Sequence, residues 1–303
     1  MAILILGGSG FIGSAVLASL GRTGHDIIGL GRDIAHARNR FPSVKWVGAD
    51  LATLTRPNEW MPLLTGIETV INCAGALQDG LRDDIAATQR DSMLALYQAA
   101  RHGGVRLVVQ ISARTEGGEN LAFLATKAAA DAALKQCGLP YVILRPALVL
   151  GRNAYGGSAL LRALAALPLI NPLIYADRPV QTVSVDDLVE AVRMAVDGEI
   201  PPGTDADLSG DTLDLGQLVQ LHRAWLGLPP ARIVPVPTAV GDLVSWFADF
   251  AGRLGWRSPL RSTANQVMAG GVTTGNNGLG LPLRSLEVEF GPSQVEFTFR
   301  AGT

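Results

Sequence analysis

The glycines that follow a short apolar run at the start of the chain are the feature that most constrains its fold. Residues 2–6 read Ala-Ile-Leu-Ile-Leu, an uninterrupted run typical of a strand buried on both faces of a sheet. Glycines then stand at Gly7, Gly10 and Gly13, and residues 14–20 read as a helix. The sequence therefore predicts a buried strand, a glycine turn and a helix in immediate succession.

This order of elements suits the binding of a dinucleotide. Gly7 would permit a tight turn, Gly10 a close approach of backbone to pyrophosphate, and Gly13 the packing of helix on strand. The N–H groups and the positive dipole end of the helix would face the phosphates. A purely structural turn would use glycines too, and the flanking strand and helix favour the nucleotide site. A hydrolase turn G-x-S-x-G is excluded, because the residue two after Ser9 is Phe11.

Composition limits the remaining classes of function. With 303 residues, 48% of them hydrophobic and 17% charged, the chain can form one large domain or two unequal ones. A net charge of −2 gives no reason to expect nucleic-acid binding. Two distant cysteines and four histidines without ligand spacing predict neither disulfides nor a metal site. With no signal peptide and no apolar run of about 18 residues, we expect a soluble, cytoplasmic protein without a transmembrane segment.

Apolar runs typical of strands alternate with stretches of helical spacing up to about residue 150. The later strands are predicted at 25–30, 44–47, 68–72, 106–111 and 141–144, and the longest helices at 83–102 and 121–137. This alternation predicts an α/β fold with a doubly wound parallel sheet of the Rossmann type. We expect the dinucleotide domain to comprise 1–150 plus about 180–198, completed by a return strand near Val183. A smaller substrate-side lobe would come from about 151–179 and 199–303.

Five groups of residues occur in a fixed order along the chain. They are the glycine turn, Asn72-Cys73-Ala74-Gly75, Ser112 at a strand end, Lys127 on a helix and Ile143-Leu144-Arg145-Pro146. Together they resemble the short-chain dehydrogenase/reductase superfamily in its extended and atypical branches, which include NAD-dependent epimerase/dehydratase-like proteins. The resemblance covers about residues 1–235.

Three further motifs resemble one group within that superfamily. They are Gln89-Arg90-Asp91, Gly104-Val105-Arg106 followed by Gln110-Ile111-Ser112-Ala113, and Val183-Ser184-Val185-Asp186-Asp187-Leu188. This group is named after the NAD(P)H-binding accessory subunit of respiratory complex I and is close to the NmrA-like proteins. Ser258-Pro259-Leu260-Arg261 resembles members that continue into a DoxX-type membrane domain, an extension that we do not expect here.

The resemblance implies a serine, a tyrosine and a lysine at the nicotinamide end of the cofactor. The serine would orient the substrate oxygen, the tyrosine would exchange its proton, and the lysine would bind the ribose and lower the tyrosine pKa. Ser112 and Lys127 match, but Phe123 stands four residues before the lysine, where the tyrosine would stack on it. We therefore expect a cofactor sensor or assembly protein with weak or absent turnover. The alternative is an oxidoreductase or epimerase/dehydratase-like enzyme acting on a small carbonyl or alcohol.

The residues expected to contact the cofactor lie in the glycine turn and at the ends of the predicted strands. They are Gly7, Ser9, Gly10, Phe11, Ile12, Gly13, Arg32, Arg38, Asp50, Leu51, Cys73, Ala74, Gly75, Ser112, Lys127, Pro146 and Val149. Asp50 and Leu51 could instead form a plain turn, Ser112 could satisfy backbone, and Lys127 could be solvated. Tyr155, beside Gly156 and Gly157 in a predicted loop, would belong to a lid over the nicotinamide or to an ordinary surface loop.

NADP is the expected cofactor, with NAD as the alternative, because of Arg32. Chains that bind NAD place an acidic side chain near the end of the second strand for the ribose hydroxyls. Counted from Gly13, that position falls near residue 32, which is an arginine, and Arg38 would add to its charge. In the alternative, Arg32 is solvated and the Asp33 carboxylate accepts hydrogen bonds from the ribose hydroxyls of NAD.

We predict that Arg32→Glu abolishes a preference for NADPH over NADH. A guanidinium on the 2′-phosphate is a charge-assisted contact worth about 1.5–3 kcal/mol. Titration calorimetry with both cofactors measures the preference. Equal affinities in the wild type, or an unchanged preference in the variant, would contradict this assignment.

Overall fold

The computed structural model describes residues 1–75, 84–115, 121–152, 157–253, 262–273, 275 and 277–286. The loop residue Tyr155 and the motif Ser258-Pro259-Leu260-Arg261 lie outside the described residues. The strands are β1 (Ala2–Leu6), β2 (Asp26–Gly31), β3 (Lys45–Gly48), β4 (Thr69–Asn72), β5 (Leu107–Ile111), β6 (Tyr141–Pro146), β7 (Leu148–Leu150), β8 (Ile170–Leu173), β9 (Pro179–Ser184), β10 (Thr204–Leu208), β11 (Thr212–Asp214) and β12 (Arg232–Pro235).

Helices connect these strands along the chain. They are α1 (Phe11–Leu20), α2 (Ile34–Arg40), α3 (Pro57–Trp60), α4 (Ser92–Gly103), α5 (Ala122–Gln136), α6 (Gly157–Ala165), α7 (Val185–Val196), α8 (Leu215–Trp225), α9 (Thr238–Arg253) and α10 (Ser262–Gly270). A π-helical segment, Ala86–Asp91, leads into α4. None of the described helices is long and apolar enough to cross a membrane.

The central sheet has seven parallel strands in the order β10-β6-β5-β4-β1-β2-β3. Successive side chains of a strand point to opposite faces, so β1 feeds two apolar cores. Ile3 and Ile5 pack into a core shared with α1 and α7. Leu4 and Leu6 pack into a second core shared with α4 and α5. The doubly wound α/β fold predicted from the sequence is confirmed.

The return strand is in a different place from the one predicted. β9, which contains Val183, pairs with β7 and β11 in a separate three-stranded sheet, and β10 takes the edge of the central sheet beside β6. The cause lies at Ala147, which separates β6 from β7 and donates its N–H to the Leu208 carbonyl of β10. The chain leaves the central sheet there, so β9 pairs with β7 outside it. The two-domain division remains a prediction.

The elements after residue 150 have a smaller apolar core of their own. It contains Leu161 of α6, Leu173 of β8, Val180 of β9 and Leu218 of α8. β8 and β12 form a two-stranded parallel sheet beside it. The part of the chain that follows β7 thus packs around an apolar core separate from the two cores of the central sheet.

We predict that Gly13→Ala lowers the free energy of unfolding by about 1–3 kcal/mol. A Cβ at Gly13 would overlap the Gly7 carbonyl oxygen and lie 2.9 Å from Cα of Gly8, and backbone cannot move aside as a side chain can. Urea denaturation measures the change. Gly270→Ala is the matched control, because a Cβ there meets nothing within 4 Å; equal effects of the two substitutions would contradict the close packing.

Candidate functional site

The glycine turn between β1 and α1 lies against the carboxyl end of β4. Gly7 has φ +68°, a left-handed conformation that glycine adopts without strain. A Cβ on it would lie 2.9 Å from Cα of Ala74, so the two backbones are in direct contact. Gly10 is exposed, donates its N–H to the Gly7 carbonyl at 2.9 Å and is the N-cap of α1. The tight turn expected of Gly7 and the close packing expected of Gly13 are both present.

The first turn of α1 combines a packed side and an open end. Phe11 and Ile12 are partly buried against the core on the α1 face of the sheet. The N–H groups of a first helical turn have no partner within their helix, and Gly10 has no side chain with which to cap them. Ser9 is exposed beside the end of β2, where a Cβ on Gly31 would lie 3.0 Å from its Oγ. This end of α1 is therefore accessible to an anion.

The residues predicted to contact the adenosine side lie at the ends of β2 and β3. Arg32 directly follows β2, Arg38 is on α2, and both are exposed. The Asp50 carboxylate accepts the N–H of Ala52 at 3.1 Å and caps a single 3₁₀ turn, in which Leu51 is buried. The local turn that was the alternative for Asp50 and Leu51 is thus formed, and their contact with an adenine stays a prediction.

The segment after β4 connects the glycine turn with α5. Cys73 donates its N–H to the Leu6 carbonyl at 3.0 Å, and Ala74 donates to the Asn72 side chain at 3.0 Å. A Cβ on Gly75 would lie 3.7 Å from Nζ of Lys127. Burial raises the pKa of the Cys73 thiol to about 12, against the opposing effect of the Lys127 charge. The thiol is therefore protonated at neutral pH.

Lys127 is buried, so the solvated alternative is wrong. Its side chain crosses to β5, where Nζ donates to the Ile111 carbonyl at 3.0 Å, and the residue is 7% exposed. Nζ also lies 5.8 Å from the ring centroid of Phe123, one helical turn earlier. Burial lowers the pKa of Lys127, whereas the Asp131 charge and, in its thiolate form, Cys73 raise it.

Asp131, which the sequence analysis did not single out, joins Ser112 to Arg145. Ser112 Oγ donates to Asp131 Oδ2 at 2.6 Å, and Arg145 Nη2 donates to the same oxygen at 2.9 Å. Arg145 also pairs with Asp205 of β10. Burial raises the pKa of Asp131, and Ser112, Arg145 and Lys127 oppose that rise. The one signal in the sequence was a carboxylate four residues after Lys127 in an alanine-rich helix.

Pro146 and Val149 lie on either side of the point where the chain leaves the central sheet. Pro146 ends β6, and Val149 is paired with Val183 and partly buried against the α1-side core. A polar cavity of about 380 Å³ lies nearby, lined by Arg114, Thr115, Lys135, Arg145, Asp205 and Asp207. A larger cavity of about 770 Å³, between β11 and α8, includes none of the predicted site residues.

The structure thus brings the glycine turn, Ala74, Gly75, Lys127 and Ser112 to one edge of the sheet, where β1, β4 and β5 end. In open parallel sheets, ligands bind in the crevice outside the carboxyl ends of the strands. A turn in which three of four residues are glycine, an open helix end and a buried ammonium fit a dinucleotide. Arg32 directly follows β2 at the same edge, and Arg38 is on α2, the next helix.

Comparison with known proteins agrees with this geometry. The family model described as NAD dependent epimerase/dehydratase family matches residues 3–205. An uncharacterized protein of Mycobacterium tuberculosis is 31% identical over 251 residues, 82% of this chain and 26% of that protein. The chain therefore spans about a quarter of the length of this relative.

Two further proteins are similar over large parts of the chain. A ceramide reductase of Caulobacter vibrioides is 27% identical over 188 residues, 61% of this chain and 57% of that protein. The crystal structure of the Bordetella bronchiseptica enzyme WbmH in complex with NAD+ superposes with a TM-score of 0.67 at 19% identity, covering 95% of both chains. At this identity, the likeness to WbmH shows the fold.

We predict that Lys127→Met raises the melting temperature of the cofactor-free protein at neutral pH. A lowered lysine pKa means that the unfolded chain binds the proton more tightly, so the charge opposes folding below the folded pKa. This opposition is lost as the pH rises toward the ordinary lysine value, and the difference in melting temperature should shrink with it. Lys135→Met, at a half-exposed ion pair, is the control and should change stability by no more than about 1 kcal/mol. A lower melting temperature for Lys127→Met would contradict the prediction.

Proposed function

The chain belongs to the NAD dependent epimerase/dehydratase family, and from this premise we propose that it binds NADP(H) and turns it over slowly or not at all. Family and fold are those of an extended short-chain dehydrogenase/reductase. The observation that carries the proposal is the Phe123 ring, which lies over Lys127 in the place where the family resemblance implies a tyrosine. Membership of the complex I accessory-subunit group or the NmrA-like group stays a prediction.

Binding of a dinucleotide is supported by the glycine turn. The backbone contact of Gly7 with Ala74 leaves the N-terminal end of α1 open, and N–H groups at such an end bind phosphate oxygens. WbmH, whose structure holds NAD+, has the same fold over 95% of this chain. The pyrophosphate would lie on Gly10, Phe11 and Ile12, with the nicotinamide end toward Lys127.

Preference for NADP over NAD is supported by two exposed arginines. Arg32 follows β2 directly, and the end of β2 adjoins the glycine turn, since Gly8 donates its N–H to the Leu30 carbonyl at 3.1 Å. Arg38 lies on α2, which starts two residues later. The planar guanidinium suits the geometry of a phosphate group.

Weak turnover is supported by the lack of a suitable proton donor among Phe123, Ser112 and Lys127 at the nicotinamide end. A bound nicotinamide exchanges a hydride with a substrate carbon. Reduction of a carbonyl also needs a proton for the oxygen, and the phenyl ring of Phe123 has none to give. The Ser112 hydroxyl donates its single proton to Asp131, so this proton is not directed at a substrate. The Lys127 ammonium would donate to the ribose hydroxyls of the cofactor and not to a substrate.

A protein of this kind would report or store the cofactor rather than consume it. Binding without turnover suits a sensor of the NADPH pool or a factor that assembles with a partner when the cofactor is bound. The energy available for such a switch is the differential affinity of its two states for the cofactor.

The second candidate function is that of an NADP-dependent oxidoreductase. The similarity to the Caulobacter vibrioides ceramide reductase favours it, and Ser112 and Lys127 of the three-residue apparatus are retained. A turnover enzyme would need another proton donor, for which Tyr155 is the first residue to mutate.

We predict that the wild type binds NADPH but has little or no turnover on common aldehydes and ketones. Phe123→Tyr restores a hydroxyl beside Lys127 and should raise the rate by about 10²–10⁴. Steady-state assays of NADPH oxidation measure the rates. Phe41→Tyr, at the end of α2, is the matched control and should leave the rate unchanged. Wild-type turnover of about 1–10³ per second would refute the proposal.

A further inference from the structure

Asp131 is a buried carboxylate that the proposed function uses only as the acceptor of the Ser112 proton. It is 2% exposed, and its Oδ2 accepts from both Ser112 and Arg145. It lies four residues after Lys127 on α5, so the two side chains are on the same face of the helix one turn apart. A carboxylate at such depth costs free energy unless cations surround it.

We propose that Asp131 is a positioning residue that holds Lys127 as an ammonium at the dinucleotide site and turns the Ser112 proton away from the substrate. The inference rests on the proposed function in that Lys127 contacts the bound cofactor. In this role Asp131 acts through its two neighbours, Ser112 and Lys127, rather than as a catalytic residue.

The hydrogen bonds of Asp131 differ from those of a purely structural ion pair. Arginine and carboxylate groups commonly pair through two parallel bonds, yet Arg145 reaches only Oδ2. Asp131 Oδ1 is buried and has no hydrogen-bond partner among the residues that the structure describes. Arg145 already has a second carboxylate partner in Asp205, which is 22% exposed at its side chain. A fold that only had to neutralise Arg145 could do so with Asp205.

The charged form of Lys127 depends on the Asp131 carboxylate, because the other groups around its ammonium are neutral. The groups that face its ammonium are the Ile111 carbonyl on β5, the Cys73 thiol after β4, the Phe123 ring and Asp131 on α5. The thiol is neutral at physiological pH because burial raises its pKa to about 12. Asp131 is therefore the single anion that acts on Lys127 among the described residues.

Asp131 in turn faces charged and titratable groups on four elements. They are Ser112 after β5, Arg145 on β6, Lys127 on its own helix and Tyr97 on α4. Tyr97 is buried and its pKa is raised well above the ordinary value, so it stays neutral. Removal of the Asp131 charge thus leaves two buried cations, Lys127 and Arg145, without a shared counter-ion.

The test is an NMR titration of the lysine side chains in the cofactor-free protein. The chain has three lysines, Lys45, Lys127 and Lys135, so ¹³C-labelled lysine gives three signals. Lys45, whose ion pair with Asp26 is apart from the Asp131 series, is the internal reference. In Asp131→Asn, the midpoint of Lys127 should fall by at least about one pH unit. The Lys45 signal should be the same in the variant and the wild type. An unchanged Lys127 midpoint overturns the proposal.

Two further variants separate charge from structure. Asp131→Glu keeps the carboxylate and should restore the Lys127 midpoint to about the wild-type value. Asp205→Asn removes the other partner of Arg145 and should leave Lys127 unmoved; a shift as large as that of Asp131→Asn would contradict the proposal. If Asp131→Asn does not fold, the titration of the wild type tests the proposal. Its Lys127 signal must show a second inflection at acid pH, where Asp131 takes up a proton, and a curve without this inflection would contradict the proposal.

The consequence for binding is read by calorimetry with NADPH as a function of pH. At pH 6, where Lys127 is charged in both proteins, Asp131→Asn should bind NADPH with the same affinity as the wild type. Between the two Lys127 midpoints only the wild-type lysine remains charged, and the variant should bind NADPH about tenfold more weakly. Absence of NADPH binding by the wild type at every pH would refute the proposed function. The lysine titration, made without cofactor, decides on Asp131 independently.

Discussion

The rest of the molecule depends on the backbone contact between the glycine turn and the carboxyl end of β4. A Cβ on Gly7 would lie 2.9 Å from Cα of Ala74, and Gly13 brings α1 down onto the same turn. A side chain at either glycine would push the helix away from the sheet. Because β1 lies between β2 and β4, this one contact also places the end of α1 beside Gly75 and, through it, beside Lys127.

A second constraint is electrostatic and lies on the other side of the same edge. Lys127, Asp131 and Arg145 are all largely buried, and a low-dielectric interior tolerates such charges only when opposite signs adjoin. The order of charges from α5 to β10 alternates: Lys127, Asp131, Arg145, Asp205. Ser112 joins this series through its hydroxyl, which donates to Asp131.

Sequence patterns predicted well wherever local spacing and burial point to the same answer. The apolar run of β1, the glycine spacing and the alternation up to β6 identified the parallel sheet, and the residues of the glycine turn and of the strand ends meet at one edge. Asp131 escaped notice because an acidic residue in an alanine-rich helix reads as a solvated side chain unless its neighbours in space are known. The strand near Val183 was placed in the wrong sheet because β9 and β10 are both short and partly apolar.

The sequence by itself determined the fold class, the glycine turn and the position of Phe123 four residues before Lys127, since each follows from residue type and short-range spacing. Only the tertiary structure decided which strand lies at the edge of the central sheet beside β6 and which charged side chains are buried. β10 lies beside β6 because the chain turns out at Ala147, and Lys127 is buried because α5 packs against β5. Such outcomes depend on contacts between distant parts of the chain, and periodicity along the sequence carries no information about them.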